Sequence, residues 1–192
     1  MEINRTMTVD TEMFEVGDVL AFSLTDGEKV QAMAVKETPA GMLFVLVDCL
    51  NKEYPMFEDI DRVDEDDVSY MTSDLRNALN GEILARFPEE IKSRMVAVNP
   101  EGDMLRIPSE REIFGKNEYG INEDKTVTQW KPMELRRNRI AFQGDNGAWE
   151  WYWLMNRHKR YASHFAFVNG SGSADSSGAG YSLGVRPVFL LS

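Results

Sequence analysis

The sequence predicts a single α+β domain spanning residues 1–192. Three observations carry that expectation. Strand-patterned segments joined by tight turns fill residues 14–50, short capped helices follow over residues 73–95, and residues 149–192 run from alternating aromatics through a polar tract to an apolar end. With 192 residues, 43% of them hydrophobic and 28% charged, the chain can bury one proper core.

The opening "MEINRTMTVDTEMFEVGD" has neither a basic start nor an apolar centre, so it predicts cytoplasmic synthesis without a signal peptide. No run approaches the ~18 apolar residues of a membrane helix, so no membrane span is expected. "GDVLAFSLTDGEKVQAMAVKETPAGMLFVLVDCL" reads as three strands, near Val19 to Leu24, Lys29 to Val35 and Met42 to Asp48. They join at Asp26-Gly27, a strong hairpin signal because both residues tolerate positive φ, and at Pro39-Ala40-Gly41. Cys49, the chain's single cysteine, lies in the apolar run "MLFVLVDCL" and is expected to be buried and inert.

Glu58 to Asp67, "EDIDRVDEDD", holds seven acids and one base. It reads as solvated loop, since it lacks the glycine and distal glutamate of a calcium-binding EF-hand loop. Ser73 can cap a helix bearing Leu75 and Leu79, which Asn80-Gly81 interrupts. Pro88 then suits the first turn of a second short helix bearing Ile91 and Met95. Ser109 with Glu112 forms a capping box closed by Gly115, and predicts one short helix with no chemistry.

In "WEWYWL" the period of two places Trp149, Trp151 and Trp153 on one face of a strand and Glu150, Tyr152 and Leu154 on the other, and a tryptophan ladder of this kind is expected in the core. "HFAFV" gives another strand around Phe165 to Val168, and "GVRPVFLL" the last, pairing beyond Pro187 or with that position facing outward. The apolar end must be buried, because exposure of Val188 to Leu191 would be costly. Between these strands Asn169 to Ser182, "NGSGSADSSGAGYS", carries four of the 14 glycines and five serines, and by composition is a flexible loop.

Chemistry is sparse. The two histidines, His158 and His164, have no cysteine partner and no spacing for a metal site, so no metal and no cofactor are expected. No nucleophile elbow or phosphate-binding loop stands in the right context. The net charge of −11 argues against a nucleic-acid partner.

Several motifs together carry a resemblance: "WYWLMN", "FAFVNGSGSA" and the closing "GVRPVFLL", with "LVDCLNKEYPM", "SDLRNALNGEIL", "IPSEREIFG" and "NRIAF" upstream. The chain resembles the C-type-lectin-fold variable proteins of diversity-generating retroelements in bacteria and phages, and a related uncharacterised domain family of gut bacteria and their prophages. It departs from that pattern at Met155-Asn156-Arg157, where the family carries Arg-Ser-Pro. The resemblance implies a C-type lectin-like fold, with mixed and antiparallel sheets, short helices and a long C-terminal display loop. Trp151, Trp153, Gly184, Arg186 and Pro187 would be scaffold. The displayed side chains would come from Asn156 to Tyr181: Asn156, His158, Tyr161, Ser163, His164, Asn169, Ser171, Ser173, Asp175, Ser176 and Tyr181. Such adaptable polar groups with a few aromatics suit a binding surface. Phe165 and Phe167, which alternate as in a strand, are expected in the scaffold.

The implied function is recognition of an unknown protein or glycan, calcium-independent because the Glu-Pro-Asn type of loop is absent, by a protein that can travel on a virion. A structural component of a phage particle or surface assembly is the alternative. An enzyme resembling the formylglycine-generating enzymes comes third, and the single cysteine argues against it, since that chemistry uses a pair.

Overall fold

The computed structural model describes residues 14–144 and 147–192. The reading of a missing leader therefore falls mostly on residues 1–13, outside the described residues. The strands in chain order are β1 (Val19–Ser23), β2 (Lys29–Thr38), β3 (Gly41–Leu46), β4 (Tyr54–Pro55), β5 (Met95–Val96), β6 (Ala141–Phe142), β7 (Trp149–Glu150), β8 (Tyr152–Arg157), β9 (His164–Val168), β10 (Ala174–Gly178), β11 (Ser182–Leu183) and β12 (Val188–Leu191). Four short helices join them: α1 (Asp74–Ala78), α2 (Glu89–Lys92), α3 (Glu110–Phe114) and α4 (Arg136–Arg139). The architecture is mixed α+β, dominated by antiparallel sheet.

The predicted meander forms the first part of a five-stranded sheet with order β1-β2-β3-β12-β5. Gly27 turns the first hairpin at φ 92°. Gly41 turns the second, and there glycine is required twice over: its φ is 138°, and a Cβ would fall 1.9 Å from the carbonyl oxygen of Leu191. The close approach reflects where the chain ends. β12 is inserted between β3 and β5, with Val188 opposite Val45 and Leu191 opposite Met42.

Because β12 and β3 are central strands, side chains of both parities are buried. Phe44, Leu46, Phe189 and Leu191 enter one cluster, which α1 and α2 cover with Leu75 and Ile91. Leu43, Val45, Val188 and Leu190 enter the other, with Trp130, Tyr152 and Leu154. Phe189 stacks on Phe44 at 5.5 Å between ring centroids. The apolar end is thus the middle of the core.

Ser73 caps α1, its hydroxyl oxygen accepting from the Arg76 N–H at 3.1 Å. Asn80-Gly81 does not interrupt this helix. The chain passes through it as one wide turn over Leu79–Ile83, because Asn80 has partners that hold it there: its amide nitrogen donates to the Leu105 carbonyl, and its oxygen accepts from the N–H groups of Met104 and Leu105. Pro88 stands just before α2; Ile91 lies on that helix, while Met95 has already entered β5. The capping box of Ser109 and Glu112 forms with both of its hydrogen bonds, and Gly115 ends α3 at φ 73°.

The second sheet has the order β10-β9-β8. Two expectations fail here. The strand predicted across the tryptophans breaks at Trp151: Trp149 belongs to a separate two-stranded ribbon with β6, and only from Tyr152 does the chain join β9. Trp153 is buried, but Trp149 is 58% and Trp151 39% exposed, so the ladder lies half outside the core and Trp151 is not buried scaffold. The Gly/Ser tract, in turn, is not an irregular loop. Residues 174–178 form β10, paired residue for residue with β9. Asn169 builds the preceding turn, its side-chain oxygen accepting from the N–H groups of Ser171 and Ser173 and the hydroxyl of Ser171.

Candidate functional site

The three-stranded sheet carries most of the residues expected to face a partner, and divides them between its two ends. At one end the β8–β9 connection gathers His158, Tyr161 and His164. The His158 ring lies on that of Tyr161 at 4.8 Å and 25°, with His164 edge-on at 6.4 Å and Tyr119 at 6.2 Å. Ser163 is exposed, and its hydroxyl stands 3.3 Å from Nδ1 of His164. A groove of about 340 Å³ runs between this turn and the acidic run, with Ile60, Val63 and Val68 on one wall and Arg160 to His164 on the other. The run itself is two single helical turns, Ile60–Arg62 and Glu65–Asp67. Among the described residues no group of three or more His, Cys, Asp or Glu side chains could hold a metal ion.

At the other end the turn of Asn169, Ser171 and Ser173 is tied to α4, where the Nε groups of Arg136 and Arg139 donate to the carbonyls of Ser171 and Gly172. Asp175 and Ser176 are half-buried on β10, and the Asp175 carboxylate accepts from the Ser176 N–H at 2.8 Å. Tyr181, 69% exposed, projects between β10 and β11. Asn156 does not belong to this surface. It is buried, and its side-chain oxygen accepts from the Glu110 N–H at 2.7 Å, tying α3 to β8.

Sequence reasoning missed the indoles. Trp149 and Trp151 stack at 6.2 Å, and Trp151 continues onto the buried Phe167 at 5.2 Å. The backbone of Gly170 lies against Trp149, since a Cβ there would come within 2.2 Å of Cε3. The signal was the aromatic alternation itself, assigned to the core. With Phe142, Tyr161 and Tyr181 they make five exposed aromatic residues, and all five lie between positions 142 and 181.

Beneath this surface lie the remaining scaffold residues. Gly184 fits only as glycine, with a Cβ falling 2.7 Å from the Cys49 sulfur and 2.6 Å from Cγ of Glu150. Cys49 is buried, and burial pushes its thiol far up. The Pro187 carbonyl accepts from the Leu46 N–H, and the Trp153 indole N–H donates to the Tyr54 carbonyl at 2.9 Å. Arg186 is buried over the Tyr152 ring.

A wider cleft, about 740 Å³, lies elsewhere, over Asp26, Glu28, Lys52, Tyr54, Glu82 and Arg86. Its charged groups are engaged with one another: Arg86 pairs with Asp26 and Glu28, and Lys52 and the Tyr54 hydroxyl both donate to Glu82. That is a paired polar surface.

Fold and site together define a mixed α+β domain whose exposed aromatic residues fall in its C-terminal part, on the β6–β7 ribbon, at Trp151 and at the turns beside β8, β9 and β10. The chain belongs to the family described as a domain of unknown function (DUF6273), whose model matches residues 42–192. No curated protein and no solved structure matches it.

Proposed function

We propose that the protein is a recognition module of C-type lectin-like type that binds a protein or glycan through the surface of β8, β9, β10 and their connections. One observation carries the reading: of the 20 aromatic residues counted from the sequence, the five left exposed all fall between Phe142 and Tyr181. Exposed aromatic surface is costly in water, and its confinement to the C-terminal part of the chain supports an interaction role there. Tyrosine and tryptophan supply large contact area at small entropy cost, and the serines and Asn169 around them supply hydrogen bonds.

The test is a screen of the purified chain against glycan and protein arrays, repeated with a Tyr161→Ser/Tyr181→Ser double variant. Loss of the captured ligand with an unchanged melting temperature is the expected result, since exposed substitutions usually stay within about 0.5 kcal/mol. Capture that survives the double variant undiminished overturns the assignment of this surface. Self-assembly in place of capture would favour a structural component of a larger particle.

A further inference from the structure

The β8–β9 connection closes on an imidazole. Nδ1 of His158 accepts two backbone hydrogen bonds, from the N–H of Arg160 at 3.0 Å and of Tyr161 at 3.1 Å. A ring nitrogen that receives two N–H groups carries no proton, so the neutral ring holds its proton on Nε2. The same residue anchors both strands of the connection. Its N–H donates to the His164 carbonyl at 2.8 Å, and the His164 N–H donates to the Tyr161 carbonyl at 3.0 Å. Tyr161, the most exposed residue of the His158 stack, lies flat against the imidazole.

We propose that His158 is an acid-sensitive latch on the turn that presents Tyr161: a solvent proton taken up at Nδ1 turns the acceptor into a donor, both amide hydrogen bonds are lost, and the Arg160–Tyr161 segment is released while Lys159 and Ser163 stay held by the Tyr119 carbonyl and the Ala179 N–H. The surroundings set the threshold. Partial burial above all, then His164 on β9 and Arg160 and Lys159 within the turn, oppose a positive charge on the ring, and together they hold His158 below the ordinary imidazole range. Glu110 on α3 acts in the opposite sense, but its carboxylate is already taken by the N–H groups of Glu118, Tyr119 and Gly120. Arg157 lies on the preceding strand, with its Nη1 on the Glu65 carbonyl, and Glu65 lines the groove on the far side of the turn. The rings of Tyr119 and Tyr161 complete the enclosure.

A histidine whose folded value is depressed favours the neutral form in the fold, so its contribution is complete above the unfolded imidazole value. It is lost as pH falls toward the lower folded value. The consequence for binding rests on the recognition reading above: a ligand held by Tyr161 would be released on acidification. The latch itself does not rest on that reading.

The test therefore needs no ligand. Amide resonances and hydrogen-exchange protection of Arg160 and Tyr161 are followed from about pH 8 to about pH 5. In the native protein both amides are expected to shift and lose protection in one transition with a midpoint below the ordinary histidine value. In His158→Asn, whose side-chain oxygen takes the position of Nδ1 and accepts the same two bonds without titrating, both amides should stay protected throughout. His164→Gln should keep the transition and move its midpoint upward, because one opposing charge is gone. Protection that persists in the native protein to the acid end, or a transition in His158→Asn matching the native one, overturns the latch. Failure of the array screen would leave these amide measurements untouched.

Discussion

Only 1% of Arg186 is exposed, and its guanidinium is received by oxygens without formal charge: the Leu46 carbonyl at 2.8 Å, the Tyr152 hydroxyl at 2.9 Å and the Asn138 carbonyl at 3.3 Å. The Tyr152 ring stands 4.8 Å from the charge, and the Tyr152 hydroxyl donates its own hydrogen bond to the Arg139 carbonyl. The acceptors are two carbonyls and a phenol rather than carboxylates. The difference matters for the energetics. Truncation strands no buried charge, so the cost is that of charge-assisted bonds to neutral acceptors and of the emptied volume, about 2 to 3 kcal/mol. Arg186→Ala should therefore lower the melting temperature by roughly 5 to 10 °C. Arg186→Lys should recover little of it, because an ammonium cannot span acceptors that a planar fork reaches from two nitrogens. Thermal unfolding of the two variants checks this, and a wild-type midpoint in either would contradict it. Glu110 shows the opposite limit of legibility. It is fully buried and satisfied by a run of three backbone N–H groups, partners that no local pattern in the sequence names.

Elements were legible where the signal was local. The first hairpin rests on Asp26-Gly27, and α3 rests on a capping box that names its own residues, so both could be placed before any packing was known. The C-terminal sheet was only partly legible, because two of its features are set by neighbours. The break at Trp151 occurs where pairing passes from β6 to β9, and no pattern within "WEWYWL" encodes that change. β10 has no apolar alternation at all. Its order comes from full pairing with β9 and from the Asn169 turn, whose residues composition alone assigns to a flexible linker. Those two accounts predict different outcomes for Asn169→Ala. A linker would not notice the change. A built turn loses an acceptor for three donors, at a cost of about 1 to 3 kcal/mol, and the amides of Ser171 and of the β10 residues should exchange with solvent markedly faster while β1 to β3 are unaffected. Residue-resolved hydrogen exchange decides between them.

At the scale of the whole molecule, the C-terminal strand sits between β3 and β5 and the surface is strongly acidic, with net charge −11. Self-repulsion of that charge opposes compaction, and one place where it acts is Glu150. Burial raises its carboxyl, and Glu53 beside it raises it further, against the opposing hydrogen bond from the Trp151 N–H. The sign is the reverse of that of His158. A carboxyl raised in the fold favours its protonated form, so there is no penalty below the unfolded carboxyl value. Stability then falls as pH rises from that value to the higher folded one, and the penalty is complete above it. Glu150→Gln keeps an oxygen to accept the Trp151 N–H and removes the charge. Its melting temperature should exceed that of the native protein at neutral pH, and the gap should close as the buffer is taken below about pH 4. Asp66→Asn removes the same unit of charge from the exposed acidic run and separates local from global effects. A gain at Glu150 that exceeds the gain at Asp66 places the penalty at the contact with Glu53, whereas equal gains would assign it to net charge alone. A neutral-pH loss in Glu150→Gln would show that the ionised carboxylate is needed where it stands.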